Sequence, residues 1–289
     1  MASMRDIKRR RASIQSTGQI TKAMKLVSTV KLQKSRTKAE SSKPYFNQMY
    51  GTIAAMLERS GNMDHKYLCT GEGGKKAVIA ITSNRGLAGG YNNNIVKMIV
   101  ASPELNAGDT KVYAIGRKGR DGLVRKGYEI AEDYSEVIDE PMYQDASDLT
   151  AVLLESFGKG EIGEIYLAYT SFKNTVVHIP KLIRLLPFDR EAVEAEESNG
   201  EKAQALMNYE PNAEAVLDQI IPKYMSSLIY GALLEAVASE NGARMTAMDS
   251  ATNNAEEMLG KLEIQYNRAR QGSITQELTE IIAGANAIS

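Results

Sequence analysis

The chain has 289 residues, 43% of them hydrophobic, which is enough for one or two ordinary domains. Its formal net charge is −1, and it has one cysteine, two histidines and no apolar run of about eighteen residues. These totals exclude a disulfide framework, a cysteine metal cluster and a membrane-spanning helix. The basic start MASMRDIKRRR lacks the apolar stretch of a secretory signal and leads directly into a helical pattern, so we expect a cytoplasmic, bacterial protein.

The first predicted element is one long helix over residues 1–60. Ser3 followed by Asp6 resembles a capping box, and apolar residues then recur at spacings of three and four. No proline occurs before Pro44, and the helical period resumes after it. This element is therefore predicted to be much longer than an ordinary globular helix.

The same segment is strongly basic. Residues 1–43 hold twelve Lys/Arg against two acids, a local balance of +10, so the rest of the chain carries −11. A nucleic-acid-binding coiled coil is one interpretation, and a steep loss of DNA affinity with salt would support it. Against it, the first aromatic residue is Tyr45, so the basic segment has no side chains that could stack on bases.

Residues 74–190 are predicted to form an α/β domain. Ala77–Thr82 is typical of a buried strand and is followed by a glycine loop and a helix, and Lys111–Gly116 is a second strand. A second helix follows at ASDLTAVLLESF, and EIYLAYTSF with VVHIPKLIRLLPF forms a closing strand pair. Alternating strands and helices predict an open, at least partly parallel sheet. The acidic residues 191–210 are predicted to be a linker or a lid.

Two glycine-rich stretches imitate phosphate-binding loops. GLAGG (Gly86–Gly90) lacks the spacing of a dinucleotide fingerprint, and GEGGKKA (Gly71–Ala77) has Lys76 where a P-loop needs Ser or Thr. No catalytic dyad, triad or metal constellation is recognisable either. A nucleotide-dependent enzyme stays an alternative that calorimetry with ATP and with NAD would test.

Residues 211–289 are predicted to form a second long helix, with a bend at Pro222. The two terminal helices are longer than the globule that would contain them, so we expect them to pair antiparallel. Alanine and methionine replace larger apolar residues in SENGARMTAMDSATNNAEEM (239–258), which indicates close approach of a partner helix. The predicted seam follows a 3,4,3,4 spacing and comprises Met248, Ala251, Ala255, Met258 and Leu262. A coiled coil with a merely structural role is compatible with this pattern.

Glycines and the C-terminal end add two further expectations. Gly242 and Gly272 are expected to soften the second helix, because glycine costs about 1 kcal/mol relative to alanine in a helix interior. The last residues are predicted to extend beyond the first helix and to be ordered only inside an apolar collar supplied by a partner. The apolar residues of this tip are Ile274, Leu278, Ile281 and Ile282.

Both ends of the chain carry motifs of a known family. The run IKRRRASIQSTGQITKAMKLVSTVKL resembles the start of the gamma subunit of bacterial F-type ATP synthases. The end, from SENGARMTAMDSATNNAEEM to TQELTEIIAGA, resembles that family's C-terminal signature, and ITSNRGLAGGYN resembles its first strand and loop. The signature residues in order are Ile274, Thr275, Glu277, Glu280, Gly284 and Ala285. The resemblance covers the whole chain.

This resemblance implies a fold and a function. The fold would be a long antiparallel coiled coil of the N- and C-terminal helices with an inserted Rossmann-like α/β domain. The chain would be the non-catalytic central-stalk rotor, which transmits torque between the ion-driven membrane ring and a hexamer of three alpha and three beta subunits. Its partners would include the epsilon subunit and the c-ring, with no nucleic acid. It would bind no cofactor, since ATP, ADP and magnesium belong to partner subunits, and it would be peripheral to the cytoplasmic face of the cell membrane.

The resemblance also implies contact residues. The family's contacts with the beta subunit correspond here to Met24, Lys25, Arg244, Gln271 and Thr275. Its contacts with the rotor ring and epsilon correspond to Tyr209 and Glu210.

Overall fold

The computed structural model describes residues 4–59, 65–68, 74–188 and 213–288. They divide into two compact units. Unit 1 comprises Met1–Thr29 and Arg244–Ser289, and unit 2 comprises Val30–Ala243. The predicted linker over 191–210, with Tyr209 and Glu210, lies outside the described residues. The four-part division expected from the sequence stays a prediction.

The chain forms two long helices, with an α/β domain between them in the sequence. The helices are α1 (Met4–Arg59), α2 (Tyr91–Ala101), α3 (Arg117–Val124), α4 (Tyr143–Gly158) and α5 (Ala213–Ile288), with a short 3-10 turn at Val137–Asp139. The strands are β1 (Lys76–Ile81), β2 (Thr110–Ile115), β3 (Glu129–Asp133), β4 (Glu164–Phe172) and β5 (His178–Leu186). Helix α1 continues through Pro44, and α5 continues through Pro222. Among the described residues, no helix combines the length and apolarity needed to cross a bilayer.

The sheet in unit 2 has the strand order β3-β2-β1-β4-β5. Strand β1 pairs in parallel with both β2 and β4, β2 pairs in parallel with β3, and β5 returns antiparallel to β4. The chain therefore builds outward from β1 on one side and then crosses to the other side, which makes the sheet doubly wound. The predicted α/β fold class, with long terminal helices and an inserted Rossmann-like domain, is confirmed.

Helices cover both faces of this sheet. Successive side chains of a strand point to opposite faces, so Ile79 and Ile81 of β1 pack in one core with residues of α4 and α5. Val78 and Ala80 pack in a second core with residues of α2 and α3. The residues of α5 that join the first core, including Ile229, Leu233 and Ala236, belong to unit 2. The N-terminal part of α5 is thus a structural part of the α/β domain.

Candidate functional site

The helices of unit 1 pair antiparallel, as the sequence predicts. Three contacts join them, and the residue number falls along α5 as it rises along α1. A Cβ placed on Gly18 would lie 3.4 Å from Cβ of Ala255. The hydroxyls of Thr21 and Thr252 lie 2.8 Å apart. Nζ of Lys25 lies 2.6 Å from Oδ1 of Asp249.

The predicted seam is in part displaced by one position. Met248, Ala255 and Leu262 are buried. Met258 is 41% exposed, so its assignment to the seam was wrong, and Ala251 is only half-buried. The buried face instead includes Thr252. The spacing between buried residues is therefore four from Met248 to Thr252 and three from Thr252 to Ala255. The sequence pattern misses this phase because threonine does not count as apolar.

The buried positions of α1 include small and hydroxyl-bearing residues as well as Ile7 and Leu32. Thr21 and Ser28 are buried. They are seven residues apart, so they lie on the same face of the helix, the face toward α5. The Thr21 hydroxyl also approaches the carbonyl oxygen of Gly18 at 3.0 Å, and that of Thr252 approaches the carbonyl oxygen of Met248 at 2.8 Å. Short side chains let the two backbones come close, and hydroxyls can bond locally without demanding a large buried surface.

The residues that the resemblance assigns to beta contacts fall into two groups along the helices. Met24 and Lys25 are half-buried, and so is Arg244, which lies five residues before Asp249 on α5. Gln271 lies 22 residues beyond Asp249 and is exposed, which places it about 33 Å further along the helix.

Thr275 belongs to this second, distant group. It is exposed, and its hydroxyl donates to the carbonyl oxygen of Gln271 at 2.9 Å, one helical turn before it. The structure therefore brings Gln271 and Thr275 together but does not join them to the group around Lys25.

The apolar tip is exposed on α5. Ile274, Leu278, Ile281 and Ile282 are 49%, 55%, 68% and 59% exposed. The cross-helix contacts pair residues whose numbers sum to 273 or 274, so Met4 at the described start of α1 faces about residue 270. The segment from Gln271 to Ile288 extends past that point.

In unit 2, helix α5 occupies the place where ligands bind in many doubly wound proteins. That place is the crevice at the carboxyl ends of the strands where the order reverses, here between β1 and β4. The hydroxyl of Tyr91, at the start of α2, donates to the carbonyl oxygen of Ala236 at 3.1 Å. The hydroxyl of Ser239 donates to the carbonyl oxygen of Thr170 at 3.1 Å. Both contacts are buried, so protein atoms of α5 fill the crevice.

Three backbone amides beyond the carboxyl ends of β1 and β2 donate to the chain's own side chains. The amide of Ser83 donates to Oδ1 of Asn92 at 2.9 Å, and that of Gly119 donates to Oγ1 of Thr82 at 2.9 Å. The amide of Arg117 donates to Oδ1 of Asn84 at 3.1 Å. A phosphate-cradling loop would need such amides to face a ligand. These three amides donate to side-chain oxygens of the chain itself and do not face a ligand.

Gly242 has a packing role, and the softening of the helix that we predicted stays a prediction. A Cβ at this position would lie 2.7 Å from Cε1 of His178 at the start of β5. Burial lowers the pKa of His178, an effect that the Thr175 backbone opposes. A neutral imidazole ring against a glycine lets β5 and α5 approach closely.

Tyr91, Thr252 and Asp249 were missed as site residues, because each gains its role from a partner distant in sequence.

The fold defines a class of protein. Two long helices pair antiparallel, and a doubly wound domain lies between them in the sequence. The model of the family described as ATP synthase matches residues 3–288. The ATP synthase gamma chain of Lachnoclostridium phytofermentans is 64% identical over 295 residues, with 100% of both chains covered. This chain belongs to the ATP synthase gamma chain family.

Further relatives and solved structures agree with this family. A protein of Acetobacterium woodii named "ATP synthase gamma chain, sodium ion specific" is 41% identical over 300 residues, with 99% of both chains covered. A chain in the Euglena gracilis mitochondrial ATP synthase, in a structure of OSCP, F1 and c-ring, is similar with a TM-score of 0.68 and 19% identity. That match covers 99% of this chain and 94% of the other. A chain of the Tetrahymena thermophila central stalk and c-ring has a TM-score of 0.57 and 24% identity, over 80% of this chain and 99% of the other. At these identities the structures establish the fold.

Proposed function

We propose that this chain is the central-stalk rotor subunit of an F-type ATP synthase. In this role it transmits torque between an ion-driven membrane ring and a catalytic alpha–beta hexamer during ATP synthesis or hydrolysis. The observation that carries the proposal is the helix pair of unit 1. Its cross-helix contacts include small and hydroxyl-bearing residues, and α5 continues past the described start of α1 with apolar side chains exposed. The full-length similarity to ATP synthase gamma chains supports the same role.

The proposed partners follow from that role. They are three alpha and three beta subunits around the helix pair, together with the epsilon subunit and the membrane c-ring. The chain is peripheral to the cytoplasmic face of the membrane through these partners and binds no nucleic acid. ATP, ADP and magnesium are bound by the partner subunits, and this chain contributes no cofactor site.

Beta subunits would meet the helix pair at two levels. Around Lys25 the surface presents the half-buried Met24 and Arg244, whose guanidinium can form charge-assisted hydrogen bonds with carboxylates or carbonyls of a loop. Further along, exposed Gln271 and Thr275 lie on one turn of α5. Contacts at two levels resist tilting of the helix pair, whereas contacts at a single level would act as a pivot.

Purification of the native complex tests this function. Co-purification with alpha and beta subunits is expected, and the reconstituted complex should form a membrane potential when it hydrolyses ATP. A voltage-sensitive dye reports this potential whichever ion is moved. A chain that purifies without alpha and beta subunits would contradict the proposal.

The isolated chain should have no ATPase activity. The crevice of the doubly wound sheet is filled by α5, and the amide of Ser83 beyond β1 donates to the side chain of Asn92. The measurement is ATP turnover by highly purified chain, with calorimetry for ATP and NAD binding as a companion. Turnover that persists after removal of contaminating ATPases would refute the expectation.

Replacing Met24 by lysine should weaken coupling more than stability. Met24 is half-buried next to Lys25, so the change adds a second cation to this part of the helix pair. Its attraction to carboxylates of successive partner subunits would differ with rotation angle. The membrane potential formed per ATP hydrolysed should fall severalfold, because about 1.4 kcal/mol of unequal attraction already corresponds to a tenfold effect. Met24→Gln, which adds no charge, is the control, and equal effects of the two variants would count against the charge argument.

A further inference from the structure

Lys25 and Asp249 form an ion pair that joins the two helices of unit 1. Nζ of Lys25 lies 2.6 Å from Oδ1 of Asp249, and the side chains are 39% and 47% exposed. The pair is therefore at the rim of the helix–helix contact, where it faces both the seam and the outside. Each charge is accessible to a molecule that packs against the pair.

Neither residue has an oppositely charged neighbour on its own helix. The residues three and four positions from Lys25 are Thr21, Lys22, Ser28 and Thr29. Those three and four positions from Asp249 are Met245, Thr246, Thr252 and Asn253. Ion pairs within a helix need such spacing. This pair consequently exists only because the two helices meet.

The neighbouring contacts hold the two helices in the register that the ion pair needs. The buried hydroxyls of Thr21 and Thr252 lie one turn away, at 2.8 Å. Gly18 and Ala255 approach each other one turn further. A buried polar contact in a helix seam favours one register over others, so the Asp249 carboxylate is placed opposite Lys25.

Asp249 also decides the charge of this part of unit 1. Between Arg244 and Ala255, α5 carries only Arg244 and Asp249 as charged residues, and the nearest charged residue to Lys25 on α1 is Lys22. Without Asp249, the charged residues of this stretch would be Lys22, Lys25 and Arg244, which are all positive. An exposed ammonium on a flexible stem would then turn outward to any carboxylate within reach.

We infer that Asp249 is a positioning residue that holds the Lys25 ammonium against the helix pair and balances its charge. The inference rests on the proposed rotor function. As the helix pair turns, a released Lys25 would attract the carboxylates of successive subunits unequally. The ion pair with Asp249 keeps this attraction small at every angle, so that contacts form and break easily.

Four variants of the complete complex test this role. Asp249→Asn keeps the shape of the side chain and removes its charge, Lys25→Met removes the cation, and the third variant combines both changes. Glu257→Gln is the matched control, because it breaks another ion pair on α5, with Lys261 at 2.5 Å, and changes the net charge by the same amount. That pair lies within one helix and is exposed. The readout is the membrane potential formed per ATP hydrolysed, measured at low and raised ionic strength.

Asp249→Asn should lower this ratio by about two- to fivefold, the range that matches the worth of a partly exposed ion pair. Lys25→Met and the double variant should show the same ratio as each other, since Asp249 has no cation left to hold once Lys25 is replaced. Raised ionic strength should also restore Asp249→Asn, because salt screens exposed charges. Glu257→Gln should leave the ratio unchanged. Thermal unfolding of the isolated chain should shift equally in Asp249→Asn and in the double variant.

Each other outcome has a definite meaning. If Asp249→Asn lowers the ratio as much beside Lys25→Met as it does alone, or if neither Asp249→Asn nor the double variant assembles, Asp249 has a merely structural role and the inference is wrong. Assembly of the double variant but not of Asp249→Asn would support it, since the released Lys25 is then the harmful group. An unchanged ratio in Asp249→Asn, with a coupled wild type, overturns this inference alone. A wild-type chain that assembles but does not couple overturns the proposed function together with it.

Discussion

Replacing Gly116 by alanine should destabilise unit 2 by about 3 kcal/mol or more, the upper range for an overpacked site in a folded interior. Gly116 follows β2 and precedes α3, with φ at 104°, a conformation that other residues rarely adopt. A Cβ there would lie 2.2 Å from the carbonyl oxygen of Thr82 and 2.5 Å from its carbonyl carbon. These atoms belong to the backbone beside β1, which cannot move without disturbing the buried sheet.

The matched control for this substitution is Gly127→Ala. Gly127 also has a positive φ, 85°, but a Cβ there would meet no atom within 4 Å. The free energy of unfolding that Gly127→Ala loses should reflect backbone conformation alone, about 1–2 kcal/mol. Denaturant unfolding followed by near-ultraviolet circular dichroism of the tyrosines measures both variants, since the chain has no tryptophan. Equal losses in the two variants would show that the contact with Thr82 is unimportant.

The amides of the apolar tip should exchange rapidly in the free chain and slowly in the complex. Residues 274–288 extend past the described start of α1, and a helix of this length without a partner is marginal in water. Burial of Ile274, Leu278 and Ile281 in an apolar collar formed by the alpha and beta subunits would stabilise it. Dispersion contacts with such a collar vary little with angle, so the tip could turn inside it.

The paired region supplies the internal control for this measurement. Amides of residues 248–262 should be protected in both states, because Met248, Ala255 and Leu262 are already buried in the free chain. Deleting residues 279–289 should lower the assembly yield and the thermal stability of the complex but leave some coupled rotation. Equal protection of the tip in the two states would rule out the collar.

Sequence patterns located most elements of unit 2 but not α3 and β3. Strands β1, β2 and β4 are buried apolar runs that periodicity detects readily. Helix α3 contains two glycines among its eight residues, and β3 carries three acidic residues among five. Neither segment resembles its final structure, because pairing with β2 and packing on α2 stabilise them more than their own propensities do.

For the candidate site, the sequence predicted which residue types occur at the helix contact better than it predicted which positions face the partner helix. The alanine- and methionine-rich stretch correctly indicated close approach of a partner helix. Its phase was wrong at Met258, because alanine and methionine occur on several faces and the buried Thr252 was not counted. Lys25 was identified through the family resemblance, but its partner Asp249 was not, since 224 residues separate the two.

By itself, the sequence determined the family, the two long helices, the α/β class of the inserted domain and the absence of a recognisable catalytic motif. These features depend on local periodicity and on motifs whose own residues are contiguous in the sequence. Only the tertiary structure decided that α5 fills the crevice beside Tyr91, that Gly242 faces His178, and that Asp249 neutralises Lys25. Each of these contacts joins segments far apart in sequence. Their register depends on the packing of whole elements, and no local pattern encodes it.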